Sequence, residues 1–253
     1  MGKIISFANQ KGGVGKTTSA VNVAASLGVI GYKVLLVDLD PQGNATSGVG
    51  VSKKNLKLTI QDVLVQKAAA EDVVIQTKFS NLSLLPANIT LANAEFQLFD
   101  ADNSQMELKN ALLKVKDSYD YVIIDCPPSL GMLTVNALSA SDGVVIPMQC
   151  EFYALEGLSQ LMITVSRIKQ YYNDKLTVTG ILITMYNKRL LLSMQVMAEL
   201  KKHYTDKLFE TCISRNVKLS EAPGFGMPVY YHDKSSKGSA EYLDVAKELS
   251  SRI

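Results

Sequence analysis

Two lysines, Lys11 and Lys16, stand in a run of glycines that reads Asn9-Gln10-Lys11-Gly12-Gly13-Val14-Gly15-Lys16-Thr17-Thr18. An apolar run, Ile4–Ala8, precedes it, and a stretch rich in Ala, Val and Leu follows from Thr17 to Ile30. Strand, glycine turn and helix together make the setting that a phosphate site needs. Glycines let backbone N–H groups turn inward as a nest for an anion, and the helix start adds its partial positive charge. In such a loop Lys16 reaches the β- and γ-phosphates of a nucleotide, and the Thr17 hydroxyl binds Mg²⁺. The loop departs from the G-x-x-x-x-G-K-[ST] pattern, because Gln10 holds the first glycine position and Lys11 follows it. A second lysine beside phosphates has a task only if some further negative charge is brought to it. A lysine left in solvent contributes little.

Carboxylates complete the chemistry. The run Val37-Asp38-Leu39-Asp40-Pro41-Gln42-Gly43-Asn44 puts Asp38 and Asp40 on one side of a strand end, since side chains alternate. Two like charges on one side are costly unless a cation or a mechanism needs them. A further run, Tyr121-Val122-Ile123-Ile124-Asp125-Cys126-Pro127-Pro128, ends an apolar stretch in Asp125. That is the Walker B arrangement, a strand-end carboxylate holding Mg²⁺ through water. Phosphoryl transfer needs positioning and charge neutralisation more than covalent chemistry. The turn-rich stretches after Asp40 (Pro41, Gly43) and Asp125 (Pro127, Pro128, Gly131) can act as loops that sense the γ-phosphate, or as plain connections.

Five runs with almost no polar alternation have to position these groups: Ile4–Ala8, Val34–Val37, Tyr121–Ile124, Gly143–Met148 and Val178–Met185. Such strands are buried on both faces, as in a parallel sheet covered by helices. Helical patterns lie between them: Thr17–Ile30 with Gly31 as C-cap, Ile60–Gln66 capped by Thr59, Leu91–Phe99, Met106–Val115 and Tyr153–Tyr172. Arg189–Tyr204 carries apolar residues at Leu192, Val196, Met197 and Leu200, and Ser239–Ile253 turns Tyr242, Leu243, Ala246 and Leu249 inward. The expected fold is α/β: one P-loop NTPase domain over 1–253, a twisted, mostly parallel sheet sandwiched by helices. Ligands are expected at the carboxyl ends of the strands.

The 253 residues suffice for a large core, with 47% apolar and 20% charged side chains. Three cysteines, Cys126, Cys150 and Cys212, cannot all pair and form no C-x-x-C; they read as reduced, buried thiols. No signal peptide or bilayer-length apolar run is present, so the expectation is a cytoplasmic protein without a membrane partner. Net charge is only +2, but residues 165–240 carry 12 basic against 6 acidic side chains, whereas residues 1–150 carry 12 against 13. That local excess fits an anionic partner or a solvated helical surface.

The segment Lys11–Thr18 resembles the deviant Walker A motif of the ParA/MinD class of ATPases. The stretches Val37–Gly48, Asp125–Gly131, Gln149–Leu158 and Arg215–Pro223 are similar to Soj-type chromosomal ParA proteins, nearly throughout the chain. The resemblance implies that Lys11 crosses a dimer interface to the nucleotide of the facing subunit. It implies that Asp40 orients and polarises the attacking water, Asp38 sits in the metal's outer shell, and Asp125 is its second anchor. Lys11, Lys16 and Asp40 are thereby catalytic; Gly12, Gly13, Val14, Gly15, Thr17 and Thr18 cradle the nucleotide, with Arg215 and Asn216 near its base. Where that class reads Ile-Pro-Arg before the asparagine, this chain has Ile213-Ser214-Arg215. Arg189 and Lys218 fall where that group has DNA-contacting residues, with Lys188, Lys201, Lys202 and Arg215 as lesser candidates. The implied activity is a Mg²⁺-dependent ATPase for chromosome or plasmid partition. ATP closes a sandwich homodimer, the dimer binds double-stranded DNA without sequence preference, and slow hydrolysis, stimulated by a ParB-type centromere-binding protein, releases it. The expected location is the nucleoid. Alternatives are a MinD-like ATPase positioned at a membrane, or a nucleotide-gated regulator of replication initiation. A basic amphipathic C-terminal helix of the MinD kind is not expected, because the last helix commits its apolar side to packing, and the cysteine spacing excludes a nitrogenase iron protein.

Overall fold

The computed structural model describes residues 2–100 and 104–253, with the side chains of Phe99 and Asp100 outside the description. Among the described residues seven strands form one sheet: β1 (Lys3–Phe7), β2 (Val34–Asp38), β3 (Ile75–Gln76), β4 (Leu82–Leu85), β5 (Tyr121–Asp125), β6 (Gly143–Gln149) and β7 (Thr177–Thr184), in the order β3-β4-β2-β5-β1-β6-β7. All pairings are parallel except β3 with β4 at one edge. The five apolar runs are β1, β2, β5, β6 and β7. β3 and β4 are additions to the sequence expectation. Leu82-Ser83-Leu84-Leu85 is too short, and too close to Pro86, to announce a strand, yet all four residues are buried.

Among the described residues twelve α-helices flank the sheet: α1 (Lys16–Ile30), α2 (Asn44–Gly48), α3 (Ile60–Leu64), α4 (Ala70–Val73), α5 (Leu91–Asp100), α6 (Glu107–Leu113), α7 (Met132–Ala140), α8 (Ala154–Tyr171), α9 (Leu191–Tyr204), α10 (Val217–Glu221), α11 (Val229–His232) and α12 (Lys237–Arg252). Side-chain alternation divides the core between the two sides of the sheet. In β2, Leu35 and Val37 join one apolar cluster with α3 and α5 to α9; Val34 and Leu36 join the other, with α1, α11 and α12. β2 and β5 are buried at every position, as a sheet sandwiched by helices requires.

Local chemistry sets the helix ends. Gly31 closes α1 at φ 119°, a left-handed conformation open to glycine. Thr59 and Asp62 form a capping box at α3, with the Thr59 N–H donating to Asp62 Oδ2 at 2.9 Å. α3 stops at Leu64, short of the expected Gln66, which takes φ 58° and so cannot continue a helix. The stretch expected as one helix over Met106–Val115 is α6 between two short 3₁₀ turns. α9 begins at Leu191 and not Arg189, because the Asn187 side chain accepts the Arg189 N–H at 3.0 Å and holds a turn there. Of the four apolar positions expected to face the core on α9, Val196 and Leu200 are buried and Met197 is partly buried, but Leu192 is exposed.

Candidate phosphate-binding site

β1 lies between β5 and β6, and the chain leaves its carboxyl end toward β2, beyond β5. Such a reversal opens a crevice at the strand ends. The glycine loop occupies it. Gly13 and Gly15 take φ 73° and 83°, which L side chains rarely adopt, and Gly15 caps α1. Side chains from neighbouring elements hold the loop's backbone. The Asn9 side chain accepts the Lys11 N–H at 3.0 Å and donates to the Pro147 carbonyl at 2.8 Å. From β6, Gln149 Nε2 donates to the Gly13 carbonyl at 2.8 Å; from β7, the Thr184 hydroxyl donates to the Val14 carbonyl at 2.8 Å. Sequence reasoning missed Asn9, Gln149 and Thr184 as supports. For Gln149 and Thr184 the available signal was their place at carboxyl ends of predicted strands.

The two lysines differ. Lys16 is buried, with 6% of its surface exposed, and its Nζ donates to the Lys11 carbonyl at 3.0 Å. Burial lowers its pKa, while Asp125, Cys126 and Asp40 act the other way. Lys11 is at the surface and ion-pairs with Glu151, their side chains 41% and 46% exposed. Glu151, unassigned in the sequence reading, is thus the partner of Lys11 within a single chain. Gly12 stands beside Lys11 with nothing within 4 Å of where a Cβ would be.

Asp38 and Asp125 end adjacent strands and are register partners. Both are fully buried. Asp38 is well supplied: its Oδ2 accepts the Thr46 N–H and hydroxyl, each at 2.7 Å, and its Oδ1 accepts the Asp40 N–H at 3.3 Å. Burial nevertheless pushes its pKa up to about 6. Neither oxygen of Asp125 receives a well-formed hydrogen bond. Burial first and the charge of Asp38 second hold it well above the usual carboxylate range, opposed by the nearby Thr17 hydroxyl and by Lys16. An orphaned buried carboxylate beside a hydroxyl and an anion nest is what a cation arriving with phosphates would satisfy. Among the described residues no three His, Cys, Asp or Glu converge as a metal cage. An ion held here would therefore take the Thr17 and Asp125 oxygens with phosphate and water oxygens, and Asp38, already bonded to α2, would act from behind. Asp40 is also buried; its Oδ1 accepts the Gln42 N–H at 2.9 Å.

Arg215 and Asn216 do reach the site. With Gly15, Thr18, Met185, Leu219 and Pro223 they line a cavity of about 260 Å³ next to the loop. Larger hollows exist elsewhere, one of about 590 Å³ at Lys3, Asp142 and Lys175 toward the opposite strand ends. Size does not mark the site; the convergence of nest, lysine and carboxylates does. The DNA candidates lie outside it. Arg189 is exposed, between Asn187 and Leu190, which border a second cavity with Glu151 and Arg215. Lys218 is not a free cation: its Nζ meets Glu221 at 2.9 Å, which raises its pKa. Of the lesser candidates, Lys188, Lys201 and Lys202 are exposed. No helix among the described residues is long and apolar enough to cross a membrane.

The AAA domain family matches residues 2–178. The chain is 53% identical over 249 residues to the sporulation initiation inhibitor protein Soj of Bacillus subtilis, covering 98% of each. It is 47% identical over 252 residues to the chromosome-partitioning ATPase Soj of Treponema pallidum, covering 100% of this chain and 98% of that one. Among solved structures, a Mycobacterium smegmatis protein named cobyrinic acid a,c-diamide synthase, with bound ATP analogue and magnesium, superposes with a TM-score of 0.86 at 36% identity, covering 98% of this chain and 94% of that one. Identity of this order, over nearly the entire length of both Soj proteins, makes the chain a member of the ParA/Soj family of P-loop ATPases.

Proposed function

We propose that this chain is an ATP-driven partitioning switch. MgATP binds at the glycine loop, two copies close face to face, and the dimer binds double-stranded DNA without sequence preference. Slow hydrolysis, stimulated by a ParB-type centromere-binding protein, then releases it at the nucleoid. The observation that carries the reading is the crest of the loop. Gly12 has empty space where a side chain would stand, and Lys11 beside it is on the surface. Inside one chain nothing asks for a glycine there. A facing subunit would.

Magnesium supplies charge neutralisation of the phosphates when bound, with Thr17 and Asp125 as the residues to hold it. The chain's own residues do the rest. The loop N–H groups and Lys16 fix the β- and γ-phosphates, so that attack is in line. Asp40 Oδ1 is tied to the Gln42 N–H, which leaves Oδ2 to orient a water and take its proton. Lys11, once released from Glu151, adds a cation to the facing subunit's phosphates. Arg189 carries the DNA contact, with Lys218 reduced to a lesser one by its ion pair.

Sedimentation of the wild type with ATP, with ADP and without nucleotide tests this. ATP alone should give a dimer, and Gly12→Val should bind nucleotide yet stay monomeric, because a branched side chain fills the space a facing subunit needs. A Gly12→Val protein that dimerises with ATP as the wild type does would remove the interface from this face.

A further inference from the structure

The cavity that adjoins the glycine loop is lined by Arg215 and Asn216. The backbone before them runs beside β7, with the Ile213 N–H donating to the Ile183 carbonyl at 2.8 Å and the Tyr186 N–H to the Ile213 carbonyl at 2.9 Å, and helix α12 adds side-chain bonds to the same segment. Ser214, just before them, donates twice to one carboxylate: its N–H to Glu241 Oε2 at 2.9 Å and its hydroxyl to Glu241 Oε1 at 2.8 Å. Glu241 lies in the first turns of α12, its side chain only 13% exposed, with Lys237 Nζ 3.4 Å away at the surface. Two helical turns on, Glu248 accepts the N–H groups of Glu210 at 2.9 Å and Thr211 at 3.3 Å. One side of α12 therefore carries two carboxylates that hold residues 210–214. Its apolar side packs on α1 through Tyr242, Val245, Ala246 and Leu249. The fully buried Tyr242 hydroxyl meets the Ser19 hydroxyl at 3.1 Å, three residues beyond Lys16.

The geometry points to Glu241 as a positioning residue for the nucleotide: through Ser214 it holds Arg215 and Asn216 against the cavity beside Gly15 and Thr18, and so sets affinity and selectivity for the base. A carboxylate that accepts both donors of one residue fixes that residue's place and its orientation together. Asn216 is aligned further by accepting the Lys218 N–H at 2.8 Å as the cap of α10. Glu241 touches no reacting atom, so its removal should loosen ground-state and transition-state binding alike and leave the chemical step intact. The inference rests on the proposed nucleotide site.

The test uses the full chain in four forms: wild type, Glu241→Ala, Ser214→Ala and Glu248→Ala. ATPase rates give kcat and KM, and displacement of a fluorescent nucleotide by ATP and by GTP gives selectivity. Glu241→Ala should raise KM for ATP about tenfold, the scale of a lost charge-assisted hydrogen bond. Its kcat should stay within about twofold of wild type and its preference for ATP over GTP should shrink. Ser214→Ala, which keeps the N–H bond, should move both quantities the same way but less. Glu248→Ala is the control: from the same helix it loses the backbone N–H groups of Glu210 and Thr211 and the ion pair with Arg252, away from the cavity, so it should lower the melting temperature and leave KM and selectivity alone. Wild-type KM and selectivity in Glu241→Ala, or equal shifts in Glu248→Ala, would overturn the inference. If Glu241→Ala does not fold, Ser214→Ala decides by the same two quantities. A wild type that binds no nucleotide would instead remove the reading beneath.

Discussion

Replacing Thr46 by Val tests whether Asp38 is anchored as the structure shows. The two side chains have nearly the same shape, so packing hardly changes, and the substitution acts on polar contacts alone. Thr46 is fully buried. Its hydroxyl donates to Asp38 Oδ2 at 2.7 Å and accepts the Ala87 N–H at 3.0 Å. Valine deletes both. A hydrogen bond to a charged group is worth roughly 1.5–3 kcal/mol, and a buried N–H left without a partner costs roughly 1–3 kcal/mol. Because the Thr46 N–H still donates to Asp38, the lower half of the range applies, and a loss of about 3 kcal/mol is expected. That is a large part of the ~5–15 kcal/mol by which a domain is stable. Urea unfolding without nucleotide or metal reads it as a fall in midpoint at constant slope. ATP turnover should fall as well, since the Asp40 N–H donates to the same Asp38 carboxylate. A change below about 1 kcal/mol would mean that neither bond is buried and intact in solution, and the account of how α2 is tied to the carboxylates would fail.

Other perturbations separate the roles of the remaining residues. Asp40→Ala should keep nucleotide binding and lose turnover, since the phosphate nest is untouched; equal loss of both in binding and single-turnover assays would refute the role given to Asp40. Arg189→Ala, in the Asp40→Ala background with ATP, should weaken DNA binding and flatten the log–log salt dependence by about 0.9 per contact, while Lys218→Ala changes it less. A mobility-shift series in which Arg189→Ala keeps the parent's affinity and slope would leave that region a solvated surface. The Cys150 thiol, which burial pushes up to about 11, should react with a thiol reagent far more slowly than a free cysteine at pH 7.5, and fully buried Cys126 more slowly still. Fast labelling of Cys126 and Cys150 in the native protein would contradict the packing around them, whereas Cys212, expected to be buried, is only partly so.

The parts of the candidate site were legible in the sequence because they are local. A glycine loop, the strand before it and the helix after it occupy one short stretch, and Asp38, Asp40 and Asp125 each end an apolar run. The strands were readable for the same reason: a strand buried on both sides has no alternation to mislead. What stayed hidden depends on pairs far apart in the chain. Glu151 meets Lys11, Thr184 holds the Val14 carbonyl and Glu241 holds Ser214 across separations that no spacing rule covers. The strand Leu82–Leu85 gains its register from β2, and not from any pattern of its own. The exposed Leu192 shows the opposite failure, a helical period that the start of α9 does not bury.

The two lysines of the loop sit at different depths, and the magnitudes say what that does. Lys16 is buried and bonded to its own loop, so on the proposed reading it stands ready for the phosphates with or without a facing subunit. Among the described residues the Lys11 ammonium pairs with Glu151, and an ion pair between half-exposed side chains is worth roughly 0–1 kcal/mol. A site that offers Lys11 a nucleotide's phosphates outbids Glu151 easily, because charge-assisted bonds strengthen once water is excluded between two surfaces. Glu151 then holds the Lys11 side chain within its own chain while no such site is near, at little cost to closure. On the proposed reading this makes dimerisation depend on the nucleotide's charge and not on a strained monomer. Glu151→Gln should therefore change the ATP-dependent dimerisation constant by no more than about fivefold for each of the two ion pairs released, as a change of less than 1 kcal/mol per pair requires.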